Sequence, residues 1–405
     1  MRKVTYGVLL ALLCLSPSLL RAEEGMWTLD NPPTEFLKKH YSFTPSPEWL
    51  DHLRLSSVRF MDGGSGSFVS AHGLVVTNHH VAAGQLQKMS SAEHNVMDTG
   101  FYAKELSEEI PCPDLEVNVL ESMKEVTAEV MAAIGKNPKA EAAIKARNSK
   151  KAGLEKACMN APDVKCEVVD LYQGGQYWLY RYKKYTDVRL VFAPERQAAF
   201  FGGDWDNFTY PRYDLDVAFF RIYHQGKPLK TEHHLRWSGT GVGKDELVFI
   251  TGHPGRTSRL YSMRELEYLR RVYYPRYLEY IGRVLAGLED YAAQGKEQQR
   301  RSMIYQFGFA NGQKALSGEF RGLQDPALMA LKQKQEDALR AKVAGDPKLQ
   351  KRYGVAPSSW TRQSAWLKPW SKSACPTPSA WMSSTTPSWK PCASISCRRR
   401  PCIRT

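Results

Sequence analysis

Residues 73–81 read Gly-Leu-Val-Val-Thr-Asn-His-His-Val, an apolar run that ends directly in two histidines. Two further strand-like runs, 57–60 and 66–70, precede it and flank a glycine turn at 63–64. Short apolar runs joined by tight turns are typical of a hairpin in a β-barrel or β-sandwich. The stretch therefore predicts a β domain in which two imidazoles follow a buried strand.

The pattern of apolar residues extends this β domain along the chain and interrupts it once. Strand-like runs recur at 115–119, 187–192, 216–223 and 246–251. A charged helical insertion is predicted near 122–157, because Val126, Val130 and Ile134 follow one another at a spacing of four residues. These runs predict a β part over 23–262.

A helical period replaces the strand pattern from residue 263 onward, with an interruption at Pro275. A second helix, rich in Ala, Leu, Lys, Gln and Glu, is predicted over about 325–343. We therefore expect a partial helical domain over 263–356, after the β part.

The first residues have the features of a secretory signal. Arg2 and Lys3 precede an apolar run at 8–15, and Ala22 offers a small residue for cleavage before two acidic residues. We expect residues 1–22 to be a signal peptide that sends the protein to the periplasm or the medium. No other stretch of the sequence approaches the length of a membrane helix.

The last residues, 357–405, have an unusual composition. They contain no Asp or Glu, yet they carry five of the ten Trp and four of the eight Cys. We favour the interpretation that this tail is out of frame, because a solvated basic arm does not select Trp and Cys at such density. The alternative is a basic, Trp-bearing tail that binds an anionic surface.

The formal charge of +14 comes mostly from the two ends of the chain, and about +3 belongs to the body. This balance argues against a nucleic-acid partner. Of the cysteines in the body, Cys158 and Cys166 could close a small disulfide in an oxidising setting, which leaves Cys112 unpaired. A metal site would need a second ligand pair, so no metal or other cofactor is expected.

The two histidines are candidates for a general base. In trypsin-like hydrolases the catalytic imidazole directly follows such a strand and takes a proton from a serine hydroxyl. His80 fits this position better than His79, because a small apolar residue follows it, although two adjacent histidines are equally typical of a surface turn. Asp216 begins a strand of the form Asp-Val-Ala-Phe-Phe and would orient the base; Asp214 is its rival.

The loop over 201–212 combines glycines, acidic residues, an amide and several aromatic residues. Asn207 and Phe208 could bind a free α-amino group by a hydrogen bond and a cation–π contact. An ordinary loop packed by its aromatic residues is the alternative.

Three motifs in this region, Gly-Gly-Asp-x-Asp-Asn, Tyr-Pro-Arg and Asp-x-x-x-Phe-Arg, resemble serine-peptidase family 46, the bacterial dipeptidyl peptidases. The segments at 66–70, 77–80 and 252–257 agree in the same order, so the resemblance covers about 25–343. It implies a chymotrypsin-like double β-barrel with a helical domain between the barrels. It also implies the release of dipeptides from the free N-terminus of oligopeptides.

By this resemblance, His80 is the base and Asp216 its partner, while Asn207, Phe208 and Asn311 hold the substrate's α-ammonium. Phe208 stands where the family usually has Trp. The family's serine lies in a Gly-Asn-Ser-Gly-Ser type of turn beyond the helical domain, and no such turn follows here. Ser65 and Ser317 are poor substitutes, since Ser65 lies in a hairpin turn before the base and Ser317 in a helix-like stretch.

The sequence thus predicts a mixed β and α fold, the first barrel of a chymotrypsin-like double β-barrel followed by a truncated α-helical domain. We expect a dipeptidyl aminopeptidase fragment that lacks its nucleophile and is inactive. The alternatives are an exported trypsin-like endopeptidase and a non-catalytic peptide-binding or surface-binding protein. The expected partners are oligopeptides with a free N-terminus, without nucleic acid or a membrane span; a homodimer is left open.

The out-of-frame interpretation is tested on the gene. Translation of the other two frames downstream of codon 356 should yield a continued helical domain and a Gly-x-Ser-Gly-Ser turn. If neither frame yields them, the surface-binding alternative for the tail gains support.

Overall fold

The computed structural model of the chain describes residues 25–61, 63–91, 93–135, 139–200, 207–255 and 257–353. Contacts divide the chain into a sheet unit, Met1–Phe201 with Tyr213–Leu260, and a helical unit, Gly202–Arg212 with Tyr261–Thr405. The predicted signal peptide, the predicted tail over 357–405 and residues 201–206 of the predicted substrate loop lie outside the described residues.

The described strands belong to the sheet unit and form one antiparallel sheet. They are β1 (Ser57–Phe60), β2 (Ser65–Phe68), β3 (Leu74–Thr77), β4 (Phe101–Tyr102), β5 (Ile110–Pro111), β6 (Val117–Glu125), β7 (Val164–Leu171), β8 (Gln176–Tyr185), β9 (Asp187–Ala193), β10 (Ala218–His224) and β11 (Lys227–Pro228). Hydrogen-bonded neighbours run in the order β4-β9-β10-β3-β2-β1-β6-β8-β7, with β5 beside β9 and β11 beside β10.

Helices accompany the sheet and dominate the helical unit. In the sheet unit they are α1 (Thr34–Tyr41), α2 (Pro47–Ser56), α3 (His79–Met89), α4 (Val96–Thr99), α5 (Thr127–Ile134), α6 (Ala140–Cys158) and α7 (Arg196–Ala199). In the helical unit they are α8 (Met263–Tyr268), α9 (Tyr274–Ala292), α10 (Lys296–Gly322), α11 (Pro326–Gly345) and α12 (Pro347–Tyr353). A short π-helix, Leu269–Tyr273, joins α8 to α9, so the helix continues through the region of Pro275.

The glycine turn between β1 and β2 is confirmed. Gly63 and Gly64 have φ angles of 107° and 113°, which side chains with a Cβ rarely adopt. A Cβ on Gly64 would also lie 2.6 Å from a methyl group of Val81. Both backbone conformation and space therefore require glycine at this turn.

The helical insertion packs on the sheet through the apolar residues that its sequence spacing indicates. Val126 and Val130 are buried against Val168 of β7, and Ile134 packs on the same cluster. A disulfide joins Cys158, at the end of α6, to Cys166 of β7. The predicted pairing is thus confirmed, and burial raises the pKa of the remaining Cys112 thiol to about 12.

The helical unit has a core of its own. Leu266, Tyr274 and Met329, from α8, α9 and α11, are buried together with Leu323, which directly follows α10. The sequence period indicates helices on both sides of α10, whereas within α10 only the stretch around Ser317 is helix-like in sequence. Its 27 residues, all of them described, bury only Ser302, so the helix lacks a continuous apolar stripe.

The prediction of a strand over 246–251 is wrong. None of the described strands pairs with this segment, and Ile250 is 99% exposed. Phe249 packs instead on the rings of Phe43 and Trp49, at 5.3 and 5.0 Å between centroids. Apolar alternation shows that a segment is suited to a strand, but a strand also needs a neighbour that supplies its hydrogen bonds.

A buried charged group ties β10 to the loop before β5. The side chain of Glu109, 2% exposed, accepts hydrogen bonds from Arg221 Nε at 2.8 Å and from the Tyr223 hydroxyl at 2.7 Å. Arg221 also donates to the His72 carbonyl at 2.9 Å. Removal of one partner from a charge pair this well buried strongly destabilises the fold, because the remaining charge stays buried without compensation.

We expect Glu109→Leu to lower the free energy of unfolding by about 3 kcal/mol, since it leaves the Arg221 guanidinium uncompensated. The matched control, Glu129→Gln, removes the acid of an ion pair with Lys150 that is 43% and 36% exposed, and should cost less than about 1 kcal/mol. Urea denaturation measures both. Equal losses in the two variants would contradict a structural role for the Glu109 cluster.

Candidate active site

Strand register brings Asp216 to the start of helix α3. β10 and β3 are antiparallel, and Ala218 pairs with Thr77, the last residue of β3. Asp216 lies two residues before Ala218, so it falls opposite the residues that follow Thr77. Those residues are Asn78 and the histidine pair that opens α3.

The carboxylate of Asp216 accepts hydrogen bonds from both the ring and the backbone of His80. Its Oδ2 lies 2.7 Å from His80 Nδ1, and its Oδ1 accepts the His80 backbone N–H at 2.9 Å. Asn78 Nδ2 donates to the Asp216 carbonyl at 3.0 Å and to Oδ2 at 3.2 Å. The carboxylate thereby occupies the capping position at the N-terminus of α3, where negative charge is favoured.

Asn78 is a residue of this site that sequence reasoning missed. It stands at the N-cap position of α3, but its side chain does not cap the helix. It turns instead to Asp216, which supplies the carboxylate oxygen for the helix. An Asn directly before a histidine pair was the available signal, although at an N-cap it ordinarily indicates only the start of a helix.

The hydrogen bonds keep Asp216 ionised. Burial alone would raise the pKa of its carboxyl group, but the bonds from the His80 ring and backbone N–H outweigh burial and hold the pKa below its usual range. An ionised carboxylate can only accept, so His80 Nδ1 must carry a proton. Nε2 is then the ring nitrogen that can act as a base.

The two adjacent histidines lie in different environments. The ring of His79 is buried, with 4% of the residue exposed, and burial lowers the pKa of its imidazole although the Asp216 charge opposes this shift. The His80 side chain is 70% exposed. Of the two rings, His80 is therefore the one that a substrate can reach. Asp214, the rival acid, precedes Asp216 by two residues.

The two serines considered as substitutes for a nucleophile have structural positions. Ser65 opens β2, and its Oγ accepts the backbone N–H of His253 at 2.7 Å. Ser317 lies within α10. That neither serine is the nucleophile stays a prediction from the sequence.

The three residues predicted to hold an α-ammonium belong to the helical unit. Asn207 Nδ2 donates to Asn311 Oδ1 at 3.2 Å, so the structure brings these two amides together. Phe208 is 64% exposed and has a φ of 61°, which turns the chain sharply after Asn207. Two cations also contact Asn207: Arg212 Nη1 donates to its Oδ1 at 2.9 Å, and Lys314 Nζ lies 3.4 Å from its backbone oxygen. Sequence reasoning assigned no role to either cation.

Among the described residues, no group of three or more His, Cys, Asp or Glu side chains is arranged to hold a metal ion. None of the helices described above has the length and apolar composition that a bilayer crossing demands.

A histidine at a helix start, held by an ionised aspartate just before the neighbouring strand, is the arrangement that the base and its acid partner have in serine-type hydrolases. The chain belongs to the peptidase S46 family, whose model matches residues 22–368. It is 30% identical over 360 residues to an Asp/Glu-specific dipeptidyl-peptidase of Shewanella putrefaciens, covering 84% of this chain and 48% of the relative. It is 29% identical over 297 residues to dipeptidyl-peptidase 7 of Capnocytophaga gingivalis, covering 69% and 42%.

The fold resembles a solved structure from the same group. The crystal structure of Porphyromonas endodontalis DPP11 in complex with the dipeptide Arg-Asp matches with a TM-score of 0.72 at 25% identity. The match covers 82% of this chain and 51% of DPP11. The chain spans about half the length of the relatives that it matches.

We expect His80→Ala to raise the pKa of the Asp216 carboxyl group, because the ring bond that lowers it is lost while burial, which raises it, remains. Carbon-13 NMR of the carboxyl carbon during an acid titration measures this pKa. His94→Ala, at a histidine of the loop before α4, serves as the control and should leave it unchanged. An unchanged value in His80→Ala would mean that the ring does not hold the carboxylate.

Proposed function

We propose that this chain is the His- and Asp-bearing part of a serine dipeptidyl aminopeptidase, which releases dipeptides from the free N-terminus of oligopeptides. The observation that carries the proposal is the double contact between His80 and Asp216, which fixes the ring tautomer that a general base requires. The dipeptidyl-peptidase relatives support the reaction class.

In this reaction, Nε2 of His80 would take the proton of a serine hydroxyl as the hydroxyl attacks the scissile carbonyl. The same nitrogen would then return the proton to the leaving amine, while the Asp216 carboxylate stabilises the imidazolium between the two steps. No Gly-x-Ser-Gly-Ser turn follows the helical region in this sequence, and we assign the role of the attacking serine to none of the residues described here.

A dipeptidyl peptidase must also recognise a free α-amino group. Asn207 and Asn311 offer amide oxygens, and the exposed ring of Phe208 offers a π face, which are the groups that bind an ammonium. An endopeptidase has no need of such a set, so these residues favour the dipeptidyl reaction over the endopeptidase alternative.

The proposal carries three further parts. The sheet unit would be the first barrel of a chymotrypsin-like double β-barrel, and the helical domain would extend to about residue 356. Residues 1–22 would direct export to the periplasm or the medium. A homodimer is the oligomeric state that we would examine first.

Incubation of the chain with a free-amine tetrapeptide and with its N-acetylated form tests the proposal, with mass spectrometry to detect released dipeptides. We expect selective binding of the free-amine peptide, and no dipeptide release above that of His80→Ala. Dipeptide release that depends on His80 would retain the reaction but place the serine within the chain. Release from the acetylated peptide would contradict dipeptidyl specificity.

A further inference from the structure

The proposed ammonium site contains two amides, Asn207 and Asn311. Their mutual contact alone does not fix which terminal atom of each amide is the oxygen. An amide group has a donor nitrogen and an acceptor oxygen of nearly equal size and shape. Either side chain could donate to the other, and the opposite arrangement would place an NH₂ group where the first places an oxygen. A further contact must decide which atoms face a ligand.

Arg212 makes that contact. Its Nη1 lies 2.9 Å from one terminal atom of the Asn207 amide, and its Nε and Nη2 atoms are shielded from solvent. A guanidinium group has donors and no acceptor, so the atom that faces it must be the Asn207 oxygen. The nitrogen of the same amide is then turned toward Asn311, whose oxygen accepts at 3.2 Å.

We propose that Arg212 is a positioning residue that fixes the orientation of the Asn207 amide, so that oxygen atoms are presented to the α-ammonium of a peptide. This inference rests on the proposed function and adds to it a residue that does not itself touch the substrate. An ammonium group donates three hydrogen bonds and accepts none. An amide oxygen can accept two, so the bond from Arg212 is compatible with a second donor, whereas a reversed amide would oppose one donor to another.

The charge of Arg212 and its orienting role predict opposite effects on the binding of a free-amine peptide. A guanidinium near an ammonium repels it, and Lys314 adds a second positive charge against the Asn207 backbone. If Arg212 acted through its charge alone, its removal would strengthen the binding of a free-amine peptide. If it acts by orienting the amide, its removal weakens binding, because the amide can then reverse.

The experiment compares the dissociation constants of the tetrapeptide Ala-Ala-Ala-Ala and its N-acetylated form by calorimetry, with the full chain. In Arg212→Met we expect the preference for the free amine to fall roughly tenfold, the size of one hydrogen bond to a charged group. The matched control is Arg283→Met, which removes an exposed arginine paired with Glu279 on α9 and should leave the preference unchanged.

A second variant separates orientation from a general disturbance of the loop. Asn207→Asp places two acceptor oxygens at this position, so the side chain has no wrong orientation. Adding Arg212→Met to Asn207→Asp should therefore cause no loss of preference, since nothing remains for the arginine to orient. A merely structural role would produce the same loss in both backgrounds, because a disturbed loop is not repaired by a carboxylate.

The outcomes distinguish a failure of amine recognition from a failure of the positioning role of Arg212. Equal binding of both peptides by the unmodified chain overturns the amine recognition in the proposed function, and the role of Arg212 with it. A free-amine preference that is unchanged or stronger in Arg212→Met overturns the positioning role alone. A tenfold loss that persists in the Asn207→Asp background also overturns it.

Discussion

The antiparallel pairing of β3 with β10 is the constraint on which the candidate catalytic pair depends. It places the end of β3 beside the start of β10, although both strands lie in the interior of the sheet. Helix α3 begins immediately after β3, and Asp216 lies just before β10. The pairing of the two strands therefore places the carboxylate next to the backbone N–H groups at the start of the helix. A change of one residue in this register would turn Asp216 to the other face of the strand.

Asp216 has two roles that support each other. As a helix cap it accepts a hydrogen bond from the His80 backbone N–H, and as the partner of the imidazole it accepts one from Nδ1–H. Each bond lowers the pKa of the carboxyl group against the effect of burial, so the acid remains charged and each contact strengthens the other. Asn78 adds a donor to the same group and thereby forgoes its own capping role.

Local signals allowed much of the sheet unit to be predicted. The glycine turn at 63–64 and the Cys158–Cys166 pair depend on residues close in sequence, and both are present. The prediction of a strand at 246–251 failed because a strand needs a hydrogen-bonded neighbour, which the alternation of apolar residues within the segment does not reveal. The link from Arg212 to Asn207 was equally hidden, since it depends on how the chain folds back over five residues.

Asp216 in the sheet unit and Asn207 in the helical unit are each held by a donor, and the two donors differ in charge. Each oxygen acceptor is held by a group that can only donate. The His80 backbone N–H donates to Asp216, and the Arg212 guanidinium donates to Asn207. A neutral donor suffices at Asp216, because a carboxylate is an acceptor in either orientation. Asn207 can reverse, and a charged donor holds one orientation more firmly than a neutral one, because its hydrogen bonds are stronger. Under our proposal, this difference accounts for a cation beside residues that would bind another cation.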